Sequence, residues 1–230
     1  MTTPAFTDHF GGKSRSYAEF RPGYPPALFE WLASQCAARE LAWDCGAGTG
    51  QASVALAAHF RHVLATDASA GQIAAAEPHP GVEYRVAPAQ ASGLPDASAD
   101  LVTVAQALHW FDLDGFHAEV RRVAKPGALL AVWSYGIVHL DGPGLDAPMQ
   151  DFYRNEIGPY WPPERRHVET GYRDLPFPFP RIEAPAFEMR VEWTLEQLLG
   201  YLRTWSACTR YEQARGRDPV LALARRLAPA

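Results

Sequence analysis

Leu41-Ala42-Trp43-Asp44-Cys45-Gly46-Ala47-Gly48-Thr49-Gly50-Gln51 is the stretch whose reading decides the fold. Strand-forming residues end on an acidic side chain, three alternating glycines follow, and Gln51 opens an alanine-rich helix to Phe60. Glycines let the chain turn sharply and let a ligand reach the main chain. The helix start offers unpaired N–H groups. Nicotinamide and flavin proteins share a related loop, but Gln51 stands where their fingerprint has its third glycine. Asp44 would face a pyrophosphate with like charge, whereas it suits the ammonium of an amino-acid ligand.

Working outward, short apolar runs alternate with helical patterns from Glu40, the signature of a parallel sheet with helices on both faces. His62 to Asp67, Val82 to Ala87, Asp100 to Ala105 and Ala128 to Tyr135 read as the second to fifth strands. In the first helix, Val54, Leu56 and Ala57 are expected to face inward. Ser69 is expected to cap a helix through Ala76. A helix from Leu113 to Ala124 is expected to stop at Lys125-Pro126-Gly127. Asp67 ends the second strand where a carboxylate accepts from both ribose hydroxyls. By itself it signals ribose binding, or a cap on the Ser69 helix.

Residues 1–26 read as a lid loop, 40–135 as the ligand-binding core and 136–185 as an aromatic, proline-rich cap insertion. Residues 186–230 read as a strand (Ala186 to Trp193) followed by helices, with Thr194 capping the next helix to about Ser206. All belong to one domain, and 230 residues suffice for one large core. A net charge of −5 argues against nucleic acid as a partner. Arg210, Arg215, Arg217, Arg225 and Arg226 read as a solvated helix surface. No apolar run reaches the roughly 20 residues of a membrane span, so no membrane partner is expected. Cys36, Cys45 and Cys208 are odd in number and far apart, which suggests neither a disulfide framework nor a zinc site. His59 and His62 lack a nearby third ligand, so no metal is expected, and a reducing cytoplasm fits best. Oligomeric state is not legible.

The order Asp44 to Gly50, Asp67, Ala87-Pro88-Ala89-Gln90-Ala91-Ser92-Gly93-Leu94-Pro95 and Ser98-Ala99-Asp100-Leu101-Val102 resembles the class I S-adenosylmethionine-dependent methyltransferases. Phe20-Arg21-Pro22-Gly23-Tyr24-Pro25 and Gln106-Ala107-Leu108-His109-Trp110-Phe111 are similar to its small-molecule branch, with ubiquinone/menaquinone-type and trans-aconitate-type enzymes and the type 11 domain. The resemblance implies a Rossmann-like, doubly wound α/β sheet and methyl transfer from S-adenosylmethionine to a small molecule. In it, Asp44, Gly46, Ala47, Gly48 and Gly50 hold the methionine part, Asp67 the ribose, and Ala68, Ala89 and Gln90 the adenine. The family often has an acidic residue at the position of Gln90. Gln106 borders the reacting sulfonium.

Other roles stay open. His109 is either a general base or, with Trp110, packing around the cofactor. Arg21 and Tyr24 either close over the site, with Arg21 meeting a carboxylate, or form a proline-stiffened surface loop. Tyr153, Tyr160, Trp161 and Tyr172 either shape an acceptor chamber or fill a core. Class I enzymes usually finish with two antiparallel strands; Ala186 to Trp193 reads as one, and no second is recognisable before Ala230. Two further functional readings are a non-catalytic module that binds the same cofactor and an NAD(P)-dependent oxidoreductase. A nucleic-acid methyltransferase is disfavoured, because no Asn/Asp-Pro-Pro-aromatic tetrapeptide is present.

Overall fold

A computed structural model describes residues 23–228. Arg21 and most of the proposed lid loop lie outside the described residues. Strands β1 (Leu41–Cys45), β2 (His62–Asp67), β3 (Val82–Val86), β4 (Ala99–Ala105) and β5 (Ala124–Trp133) form one sheet in the order β3-β2-β1-β4-β5. Every pairing is parallel. Winding runs outward from β1 to β3, then returns beside β1 at β4. The two halves therefore diverge between β1 and β4, which opens a crevice at the carboxyl edge.

Consecutive residues of the central strands are both buried, because adjacent side chains point to opposite faces and both faces are covered. On one face Ala42, Val63 and Leu101 pack under helix α1 (Pro26–Gln35, through Leu28, Phe29 and Leu32) and helix α2 (Gln51–Leu56). On the other, Trp43, Leu64 and Val102 pack under α4 (Leu113–Val123, through Phe116, Val120 and Val123). Each such large side chain, fully buried, stabilises the fold by about 1.5–3 kcal/mol. The short helix α3 (Ala70–Ala74) begins at Ser69, whose hydroxyl accepts from Gln72 N–H as expected.

Several local expectations are corrected. Val54 is exposed, whereas Leu56 is buried as expected, together with Ala52 and Ser53. β5 starts at Ala124, and Lys125-Pro126-Gly127 does not precede the strand. The register jumps from Ala99↔Ala124 to Leu101↔Leu129, so these residues bulge out of the ladder, with Gly127 at φ +80°. No ladder forms over Ala186 to Trp193, although Phe187, Met189 and Trp193 are half-buried. The physical reason is distance: a cavity of about 1900 Å³ separates this segment from the free edge of β5 and lies away from the glycine loop.

The cap contains α5 (Asp146–Asp151), a wide turn Phe152–Glu156 and α6 (Arg165–Glu169). Beyond it come α7 (Leu195–Arg203), α8 (Ser206–Arg215) and α9 (Val220–Leu227). Thr194 and Gln197 form a capping box on α7, which ends before the expected Ser206. Met149, Phe152, Tyr153 and Ile157 share a core with Leu202, Trp205, Val220 and Leu223. The last three helices therefore pack with the cap rather than with the sheet.

Candidate functional site

The loop after β1 is pinned from below. Gly46 and Ala47 N–H both donate to Thr66 O, at 2.8 and 3.0 Å, and Gly50 N–H donates to Ala47 O. Gly50 caps α2 at φ +89°, and a Cβ there would overlap the Tyr84 hydroxyl. Gly48 differs. It adopts φ +58°, yet a Cβ would meet only Gln72 Oε1, at 3.8 Å, so its open side faces the crevice.

Asp44 does not reach that crevice. Its side chain has no exposed surface, and its oxygens accept from Ser53 Oγ (2.6 Å) and Thr103 Oγ1 (2.8 Å). The expectation of direct contact with an ammonium is corrected: a side chain sealed between β1, α2 and β4 can act only through the loop above it. Burial lifts its carboxyl to about 6, against the pull of the two hydroxyls and helped by the nearby Asp67 charge. Above that pH it places a negative charge beneath the loop.

Asp67 stands half-exposed at the end of β2. One oxygen accepts from Gly48 N–H at 2.9 Å and the other from Ser69 N–H at 2.8 Å. It thus ties the glycine loop to the start of α3, and the cap on the Ser69 helix is present. Ala68 is half-buried beside it. Ala89 is half-buried and Gln90 exposed in the loop after β3. Gln106 ends β4 with φ +61°, an uncommon conformation for a residue with a side chain. Its N–H donates to Trp133 O at 3.0 Å.

Three buried polar atoms around this edge, Gln72 Oε1, Tyr84 Oη and Gln106 Nε2, have no hydrogen-bond partner among the described residues. Native interiors rarely leave such atoms unpaired, so the crevice is chemically incomplete in the way a polar nucleoside and amino-acid ligand would complete it. The residues present fit S-adenosylmethionine. Sequence reasoning missed Gln72 and Tyr84; the alternation Val82, Tyr84, Val86 placed Tyr84 on one face of β3 but gave no sign that it overhangs Gly50.

Glu119 was missed as well. It is buried on α4 and accepts from Ser92 N–H (2.8 Å), Ser92 Oγ (2.6 Å) and Arg122 Nε (2.8 Å). Arg122 and Ser92 together hold its carboxyl at about 2, despite burial. This brace fixes the loop that carries Ala89 and Gln90.

Beyond Gln106 a short turn, Leu108–Trp110, carries His109. His109 Nδ1 lies 3.0 Å from Tyr172 Oη, and the rings stack at 5.9 Å. Burial, then the charges of Arg165 and His167, pulls the imidazole down to about 4. Trp110 is largely exposed, its ring 4.7 Å from His109. Tyr24 packs edge-on to Trp133 at 5.6 Å and lies near Tyr135. Of the four cap aromatics, Tyr153, Tyr160 and Trp161 belong to the cap core, and Tyr172 alone, at φ +61°, reaches the His109 side.

Among the described residues no His, Cys, Asp and Glu group is arranged to hold a metal ion. No described helix is long and apolar enough to cross a membrane.

Residues 43–132 match the methyltransferase domain family. A Dictyostelium discoideum protein described as a methyltransferase is 37% identical over 227 residues, 95% of this chain and 86% of that protein. A solved structure described as a type II methyltransferase, from Anaeromyxobacter dehalogenans, is 51% identical with a TM-score of 0.86. The match covers 90% of this chain and 88% of that one. An uncharacterized methyltransferase of Mycobacterium tuberculosis is 36% identical over 127 residues, and the chain spans only 51% of its length. The fold, the crevice and two near-full-length relatives agree: this chain belongs to the class I S-adenosylmethionine-dependent methyltransferases, and S-adenosylmethionine is its cofactor.

Proposed function

We propose that the chain methylates a small-molecule acceptor, at an oxygen, nitrogen or carbon nucleophile, by in-line displacement in the crevice between β1 and β4. The observation that carries this reading is the cluster of unpartnered Gln72, Tyr84 and Gln106 atoms around a glycine turn with an open face. Bound S-adenosylmethionine supplies a methyl group already activated on a sulfonium. The protein's own work is therefore to bind, orient and exclude water. Asp67, half-exposed at the end of β2, holds the ribose. Gly46, Ala47, Gly48 and Gly50 shape the turn against the methionine part, and Asp44 contributes its charge from beneath them. Ala68, Ala89 and Gln90 border the adenine, and Gln106 borders the methionine part near the sulfonium. Tyr24, Tyr172 and Trp110 flank the acceptor side.

His109 serves in this reading as a positioning residue. Its nearly always neutral imidazole is a weak base, since proton acceptance follows basicity. If Nδ1 accepts from Tyr172, Nε2 carries a hydrogen and donates. The sign of the pH effect follows from the lowered pKa: the ring is neutral above about 4. It cannot produce a limb near pH 6–7, and it costs stability as pH falls from the unfolded value near 6.5 toward 4.

The test is a methyl-transfer screen with labelled cofactor over carboxylates, phenols, amines and thiols, run on wild type and His109→Asn. Transfer to at least one acceptor is expected, with the variant within about tenfold of wild type and a profile of unchanged shape between pH 5.5 and 8. A loss of about 10²–10⁴-fold together with a vanished limb would restore the general base.

A further inference from the structure

We propose that Arg165 anchors a carboxylate of the methyl acceptor. This rests on the reading of the crevice as a methyl-transfer site and names the class of molecule that enters it. Arg165 opens α6, which packs against the turn that carries His109. Its guanidinium lies over the Trp161 ring at 4.5 Å and the Tyr153 ring at 5.6 Å, and its Nε donates to Tyr153 Oη at 2.9 Å. Tyr153 Oη in turn donates to Glu169 Oε1 at 2.5 Å. The side chain is thus fixed by two aromatic rings and one phenol, with Glu169 one bond removed.

What this clamp lacks is a direct counter-ion. Arg85, Arg122, Arg190, Arg203 and Arg226 each meet a carboxylate within 4 Å, but Arg165 forms no such pair among the described residues. Its charge is nevertheless felt at both His109 and Tyr172. A guanidinium presents five N–H donors in a planar fork that matches carboxylate geometry. Among the described residues only one of those donors, Nε, has a hydrogen-bond partner, Tyr153 Oη.

The neighbouring unpartnered groups ask for the same chemistry. Trp133 Nε1, at the end of β5, is a buried donor without an acceptor among the described residues, and so is Trp161 Nε1 beneath the guanidinium. Both need an acceptor rather than another N–H. A half-buried cation and two orphaned donors are complementary to an anion. The rings of Tyr24, Trp133 and Tyr172 would line the path for an apolar body behind that anion.

The experiment is a calorimetric titration of the protein saturated with S-adenosylhomocysteine, using benzoate, cinnamate and glutarate, each beside its amide. It is run on wild type, Arg165→Gln and Arg165→Lys, each with a melting curve to confirm folding. In wild type at least one carboxylate is expected to bind about tenfold or more tighter than its amide, the difference a charge-assisted hydrogen bond makes. Arg165→Gln is expected to lose that preference with unchanged S-adenosylhomocysteine affinity, and Arg165→Lys to keep part of it. A second readout is the His109 ring, whose NMR titration should move upward when a carboxylate neutralises Arg165. A preference that survives in folded Arg165→Gln overturns the assignment. So does a wild-type protein that takes S-adenosylhomocysteine yet prefers none of the three carboxylates; the methyltransferase reading would then stand. Failure to take S-adenosylhomocysteine would overturn the reading itself.

Discussion

Gly48→Val folds but loses at least about 100-fold in S-adenosylhomocysteine affinity, a cost of about 2.7 kcal/mol or more. The folded state tolerates the new side chain because the first atom it adds meets only Gln72 Oε1, 3.8 Å away. The strain comes from φ +58°, which costs an L-residue roughly 1–2 kcal/mol and a β-branched one more. At about 2–4 °C per kcal/mol for a chain of this size, the melting temperature falls by several degrees without loss of cooperativity. Binding suffers far more, since the branched side chain projects into the space where the ligand approaches the turn. Gly50→Val is the contrasting control: there the new atom strikes the Tyr84 hydroxyl, so folding is damaged along with binding. Calorimetric titration together with thermal melts separates the two. Normal affinity in folded Gly48→Val would place the cofactor elsewhere.

Glu119→Ala has the largest expected effect on stability, about 1–3 kcal/mol, because it strands the buried Ser92 donors that its carboxylate satisfies. Ser92 would lose the acceptor for both its N–H and its hydroxyl, and Arg122 would keep only Asp96. The melting temperature should fall by roughly 2–12 °C. The pH dependence carries the same signature. The Glu119 carboxyl is lowered from 4.5 to about 2, so its stabilisation is complete above about pH 4.5 and fades as pH falls through 2. Wild type and variant should therefore converge toward acid pH. Glu119→Gln should recover part of the loss, since it keeps one acceptor for Ser92. An Ala variant that melts within a degree of wild type would show that this brace contributes nothing.

The central sheet and the first part of the site were legible because they depend on neighbours in sequence. A strand, a glycine turn and a helix start are consecutive, and Asp67 follows one helix later at a strand end. Ala186 to Trp193 also reads as a strand in sequence, but a ladder needs a partner strand within hydrogen-bond reach, and β5 lies across a cavity. Lys125-Pro126-Gly127 looked like a boundary, whereas a bulge absorbed it into β5.

Residues that act across long separations were not legible. Glu119 lies on α4, and its partner Ser92 is 27 residues away. Arg165 and His109 meet only because α6 packs onto the turn after β4. Tyr172 was one aromatic among many in the cap, and only its positive φ and contact with His109 distinguish it. Asp44 was found by its place in the motif, but sequence spacing could not show that Ser53 and Thr103 seal it from the crevice.

The most direct test of the account is titration of S-adenosylhomocysteine into wild type and Asp67→Ala, with chelator present and NAD as the control ligand. Asp67 is the half-exposed carboxylate that accepts from Gly48 N–H of the glycine loop. Wild type is expected to bind one equivalent of S-adenosylhomocysteine and no NAD, and Asp67→Ala to bind about 1.5–3 kcal/mol more weakly, the worth of hydrogen bonds to a charged group. Equal affinity in the two proteins, or binding of NAD in place of S-adenosylhomocysteine, would contradict it.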